Sequence, residues 1–152
     1  MAESELDNMI MHDCETVVRG MGYEIVELRT LRGKKGVQVY LVIYGTEGVS
    51  LNACADVLKT LRPRIQMLTD DPDAHIEVSS PGLDRVIKNN REYRIFRNKG
   101  MRILTDGQNE WDPGIVTNVL GESLTLTSGG VSKTIAFKDI RKAKLDHTQE
   151  GV

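Results

Sequence analysis

Ile76-Glu77-Val78-Ser79-Ser80-Pro81-Gly82-Leu83-Asp84-Arg85 is the stretch on which the fold turns. Its first half alternates apolar and polar residues, as a half-buried strand does. Its second half stops that strand. Pro81 pushes Ser80 into extended backbone, and Pro81-Gly82 suits the two central positions of a type II turn. The stretch reads as a stiff connector, and the chain follows different patterns on its two sides.

Upstream, Leu6, Met9, Ile10, Cys14, Val17, Val18 and Met21 recur at helical spacing, with Ser4 as the expected N-cap and Gly20 and Gly22 as the stop. Residues 23–31 and 37–44 read as two strands joined by the turn Arg32-Gly33-Lys34-Lys35-Gly36, an antiparallel hairpin. Val37, Val39, Leu41 and Ile43 fall on one face of its second strand. Ser50 opens a second helical stripe of Leu51, Cys54, Val57, Leu58, Leu61, Ile65 and Leu68. Pro63 inside that stripe predicts a kink or a break near residues 61–62. Asp70-Asp71-Pro72-Asp73 is a turn, and residues 75–79 form a third strand. The order α-β-β-α-β predicts a layer domain over residues 1–85, a three-stranded sheet with two helices on one face.

Downstream the segments shorten. Residues 101–105, 111–120, 123–127, 133–137 and 142–145 read as strands, separated by Asp106-Gly107, Gly121-Glu122, Gly129-Gly130 and a tight helical turn at 137–140. Five short strands with one helical turn fit a small β-barrel of SH3-like or Sm-like type over residues 86–152, with a connector at 80–91. The predicted fold class is therefore α+β with two domains.

At 152 residues the chain is too short for a TIM barrel. Its longest apolar run, residues 39–44, is far below the roughly 20 residues of a membrane helix. Residues 1–7 hold three acids and no base, unlike a secretory or organellar signal. These features predict a cytoplasmic protein with no membrane partner. Charge is uneven. Residues 1–90 carry 10 Lys and Arg against 14 Asp and Glu, and residues 91–152 carry 10 against 8. A generally basic nucleic-acid binder is excluded, but a local basic patch is not.

Motifs for catalysis are missing. No G-x-S-x-G, Walker loop, G-x-G-x-x-G or H-E-x-x-H occurs, and Ser79 and Ser80 have no base nearby in sequence. Gly33-Lys34-Lys35-Gly36 has no helix after it to receive a phosphate. His12, Cys14 and Cys54 form a conceivable zinc set, but their spacing is wrong for one and both cysteines sit in apolar stripes. Neither a metal nor a cofactor is expected, and the chain reads as a non-enzyme.

Three basic groups stand out. Arg29, Arg32, Lys34 and Lys35 surround the hairpin turn. Arg91, Arg94, Arg97, Lys99 and Arg102 recur through a run that also holds Tyr93 and Phe96. Arg141, Lys142 and Lys144 lie near the C-terminal strand. Arg91, Arg94, Arg97, Lys99, Arg141 and Lys142 are the candidate contacts to RNA phosphates. The plainer reading makes these a solvated face, with Tyr93 and Phe96 packed inside the second domain. A peptide-binding adaptor, taking an extended segment in the barrel groove, is the alternative function.

The string Ser79-Ser80-Pro81-Gly82-Leu83-Asp84-Arg85 closely resembles the signature of the ribosome maturation factor RimP family. Gly22-Tyr23-Glu24-Ile25-Val26, Gly48-Val49-Ser50-Leu51 and Phe137-Lys138-Asp139-Ile140-Arg141-Lys142-Ala143-Lys144-Leu145 are similar to further family segments in the same order. Val86, Tyr44 and Asn98 depart from the family's usual Pro, Asp and Gly, and Pro63 lies in a helix that is generally unbroken there. The resemblance implies a two-domain, non-enzymatic factor for assembly of the small (30S) ribosomal subunit. It implies binding to the small-subunit precursor, 16S rRNA and small-subunit ribosomal proteins. On this reading the protein is a monomer, and Ser80, Pro81, Gly82, Asp84 and Arg85 are the inter-domain connector residues.

Overall fold

The computed structural model describes residues 3–150. Two compact units divide between Pro81 and Gly82, four residues before the boundary expected from sequence.

In the first unit, α1 (Glu3–Gly20) leads into the hairpin of β1 (Glu24–Gly33) and β2 (Gly36–Tyr44). Next come α2 (Leu51–Thr69) and β3 (His75–Ser79). Ser4 lies inside α1, so it is not the cap of that helix. The sheet order is β1-β2-β3, antiparallel for the first pair and parallel for the second. A parallel pair needs a long crossover, and α2 supplies it. Burial follows the alternation read from sequence: Val37, Val39, Leu41 and Ile43 join Leu6, Ile10, Cys14 and Val18 of α1 and Val57, Leu61 and Ile65 of α2 in one core. A bulge in β1 breaks the alternation between Ile25 and Glu27, and so Ile25 and Val26 are both fully buried although adjacent.

One carboxylate ties the ends of this layer together. Asp71 Oδ2 accepts from the Val37 amide at 3.0 Å, and Oδ1 from the Asp73 amide at 2.9 Å. These two donors hold the Asp71 carboxyl below its usual pKa. The approach is close enough that a side chain on Gly36, whose φ is +102°, would meet Asp71 Oδ2 at 2.7 Å. The loop after α2 thereby fixes where the hairpin turn ends.

Of the kink or break expected at Pro63, the break does not occur: α2 runs unbroken from Leu51 to Thr69. The reason is position. Pro63 lies on the exposed face, where water can serve the carbonyl of Lys59 that loses its donor. Leu61 and Ile65, fully buried on either side of it, pin both halves to the sheet.

The second unit holds β4 (Gly100–Thr105), β5 (Asp112–Leu120), β6 (Ser123–Ser128), β7 (Val131–Ala136) and β8 (Ile140–Leu145), with a short α3 (Glu92–Ile95) before them. A 3-10 turn at Phe137–Asp139 joins the last two strands. The strand order is β7-β6-β5-β4-β8, antiparallel throughout. The expected barrel is thus a five-stranded sheet whose end strands are β7 and β8. Phe96, Met101, Ile103, Val116 and Leu124 are almost completely buried. Asn98 sits at φ +71°, in the region its short polar side chain tolerates best after glycine.

Replacing Pro63 with Ala restores one backbone bond on an exposed face. An interior proline costs about 3 kcal/mol, offset by about 0.4–1 kcal/mol through the stiffer unfolded chain. Pro63→Ala is expected to stabilise the first unit by about 2 kcal/mol, read as a higher urea midpoint for the loss of helical circular dichroism.

Candidate nucleic-acid interface

The segment after Pro81 is organised by a buried acid. Glu92 is fully buried at the start of α3. Its Oε1 accepts from Arg85 Nε at 2.8 Å, and its Oε2 from the amides of Lys88 at 3.1 Å and Asn89 at 3.2 Å. Arg85 is buried too, with 8% of its side chain exposed. Buried charges persist when paired and hydrogen-bonded. Arg85 therefore pairs with Glu92, seven residues on.

The connector differs from the sequence expectation in its turn. The hydrogen bond of the turn runs from the Arg85 amide to the Gly82 carbonyl at 3.2 Å, which centres it on Leu83 and Asp84. Gly82 is not among the residues with positive φ, as the third position of a type II turn would have to be. Beyond the turn the chain joins β8 as a short extra strand. Val86 bridges Lys144, the Ile87 amide donates to the Ala143 carbonyl at 2.9 Å, and the Leu145 amide donates to the Arg85 carbonyl at 2.9 Å.

Pairing stops after Ile87, because Glu92 captures the next two amides and turns the chain away. A fork results. Ile87, Lys88, Asn89 and Asn90 form one wall and residues 140–143 the other, with Tyr93 between them, around a cleft of about 180 Å³. Arg141 and Lys142 are exposed on this wall. Tyr93 stacks on Phe137 with ring centroids 4.9 Å apart, and burial, with the nearby Glu92 charge, pushes its hydroxyl up to about 12.

The other candidates scatter. Arg94 donates to the Gly121 carbonyl at 2.8 Å and remains exposed. Lys99 Nζ lies 3.5 Å from Glu150. Arg97 is exposed and Arg91 half-buried. Tyr93 and Phe96 are buried, so the aromatic residues of this run pack the core and offer no face to a base. Their i, i+3 spacing was compatible with either role. Lys88 is the basic residue the sequence reading passed over, because only the fold brings it beside Arg141 and Lys142.

A larger depression of about 430 Å³ is lined by Leu83, Asp84, Arg102, Lys144, Leu145, Asp146 and His147. Its charges are largely engaged. Arg102 Nε donates to Asp146 at 2.7 Å, and Lys144 Nζ lies 5.3 Å from the centre of the Trp111 ring. Hydrogen bonds from Thr148 first, then from Arg102 and Gln149, hold the Asp146 carboxyl far below the ordinary carboxylate range.

On the first unit, the Arg29 guanidinium lies over Tyr40 at 5.0 Å from the ring centre. Cys14 and Cys54 are both buried free thiols, and burial pushes Cys14 up to about 11. His12 lies on the exposed side of α1, so it does not converge on them.

Residues 13–84 match the family model described as RimP N-terminal domain. Over 142 residues the chain is 26% identical to the ribosome maturation factor RimP of Borrelia hermsii (strain HS1 / DAH), covering 93% of this chain and 94% of that protein. Identity to the ribosome maturation factor RimP of Borrelia garinii subsp. bavariensis is 25% over 142 residues, 91% of this chain and 94% of the relative.

Two outcomes follow from the buried acids. Glu92→Ala leaves Arg85 buried without its carboxylate and frees two turn amides. It is expected to destabilise the second unit by about 3–5 kcal/mol, measured by chemical unfolding. Asp146 ionises more readily in the folded chain than near its unfolded value of about 3.9. The folded state therefore binds that proton more weakly, and the stabilisation is complete above about pH 5 and fades as pH falls through 4. The stability gap between wild type and Asp146→Asn should narrow on going from pH 7 to pH 3.

Proposed function

Because the chain belongs to the RimP family, we propose that it is a ribosome maturation factor that binds the immature small (30S) subunit in the cytoplasm as a monomer, without catalysing a covalent step. The reading is supported by relatives of that name aligned along nearly the whole chain. It is supported as well by exposed basic groups on the more basic of the two units. The contacts proposed are with 16S rRNA and small-subunit ribosomal proteins. Arg91, Arg94, Arg97, Lys99, Arg141 and Lys142 are the residues proposed for RNA. The bond of Arg94 to a carbonyl lies at the surface, where such a contact is worth about 0–1 kcal/mol. It can be exchanged for a phosphate at small cost.

A binder without reactive groups acts by differential affinity. If it holds a partly folded particle more tightly than the finished one, it shifts the population toward the state it prefers and leaves when that state is passed. Co-sedimentation with precursor small subunits is the measurement. Association should weaken with salt, with a log–log slope of roughly −2 to −4 for three or four phosphate contacts. Arg94→Glu with Arg97→Glu should abolish it. Binding to neither precursor nor mature small subunits at any salt would refute the proposal. Binding that survives the double charge reversal would point instead to an extended peptide held by the second unit.

A further inference from the structure

In a regular strand, neighbouring residues point to opposite faces, so two consecutive basic residues cannot serve one site. β8 is not regular where it carries Arg141 and Lys142. Lys142 lies opposite Leu104 and Ile140 opposite Thr105, which leaves Arg141 as an extra residue in a bulge. Both side chains are exposed, and both line the cleft at the fork. The bulge in β1 has the same effect on Ile25 and Val26, which share the buried side of their strand.

The opposite wall is equally specific. Glu92 holds the amides of Lys88 and Asn89, so residues 88–90 stand off from β8 at a fixed place. Lys88, Asn89 and Asn90 line the cleft on this side. The acid beneath is fully buried and already engaged by Arg85 and those two amides. Among the described residues, neither Arg141 nor Lys142 has an ion-pair partner. Two guanidinium or ammonium heads from one strand, with Lys88 and two asparagines along the other wall, make a setting for a compact anion.

We infer that this cleft is a phosphate site, taking a backbone phosphate of RNA between Arg141, Lys142 and Lys88. The inference rests on the functional reading above for its ligand, but not for its existence. It differs from a spread of surface charge in that one bulge and one buried carboxylate fix its two walls.

Inorganic phosphate, titrated into isotopically labelled full-length protein at low ionic strength, tests the site itself. The amide signals of residues 88–90 and 140–143 should shift together and saturate. Arg141→Gln with Lys142→Gln should abolish that saturable shift, and Lys88→Gln should weaken it. All three side chains project from the surface wall, and circular dichroism of the variants checks that the fold is kept. Shifts spread over every basic residue without saturation would overturn the proposal.

Co-sedimentation with precursor small subunits tests the ligand. The double variant should lower the log–log salt slope by about 0.7–0.9, the share of the one phosphate held in the cleft. Wild-type binding with an unchanged slope in the variant would overturn the assignment to RNA while leaving the functional reading intact. Failure of the wild type to bind particles would remove that reading, and the phosphate titration would still decide the site.

Discussion

The carboxylate of Glu92 is the constraint on which the second unit is organised. It is fully buried, and three donors converge on it: Arg85 from one side, and the amides of Lys88 and Asn89 from the other. Such a group cannot be left half satisfied in a low-dielectric interior. Its demands therefore dictate the path of the chain from residue 85 to residue 92. Arg85 must turn inward, residues 85–87 lie along β8, and residues 88–90 must leave it. The connector, the extra strand and the basic cleft are three consequences of one buried charge.

Much of the architecture was legible in the sequence because it rests on periodicity. The alternation of Val37, Val39, Leu41 and Ile43 and the stripes of Leu6, Ile10, Cys14 and Val57, Leu61, Ile65 all face the core they predict. Where periodicity is broken by design the reading was weaker. Nothing in Ile140-Arg141-Lys142 announces a bulge, since the extra residue is defined only by the register against β4. Pro63 shows the opposite case. The helix continues through it because the residue falls on an exposed face between two deeply buried anchors. Tertiary burial decides such conflicts, and one sequence does not state it.

The candidate interface divides along the same line. Basic residues could be found by composition, but not which of them act together. Arg85, read as part of a connector, is consumed by the interior, and Arg102 pairs with Asp146. Arg141 and Lys142 gain a neighbour in Lys88, more than fifty residues earlier in the chain. The distinction between an arginine that builds the fold and one that faces solvent lies in burial, which the spacing of charges does not encode. For the same reason Tyr93 and Phe96, interleaved with arginines, turn out to belong to the core.

The short pairing of Val86 with Lys144 has a practical corollary. Residues 85–87 shield the flank of β8 that does not face β4. An uncovered flank of this kind is a template for any extended chain that meets it. A fragment begun at residue 91 would keep all five strands of the sheet yet lose that shield together with Arg85. It would be drawn into intermolecular strand pairing, whereas one begun at Gly82 retains its own protection.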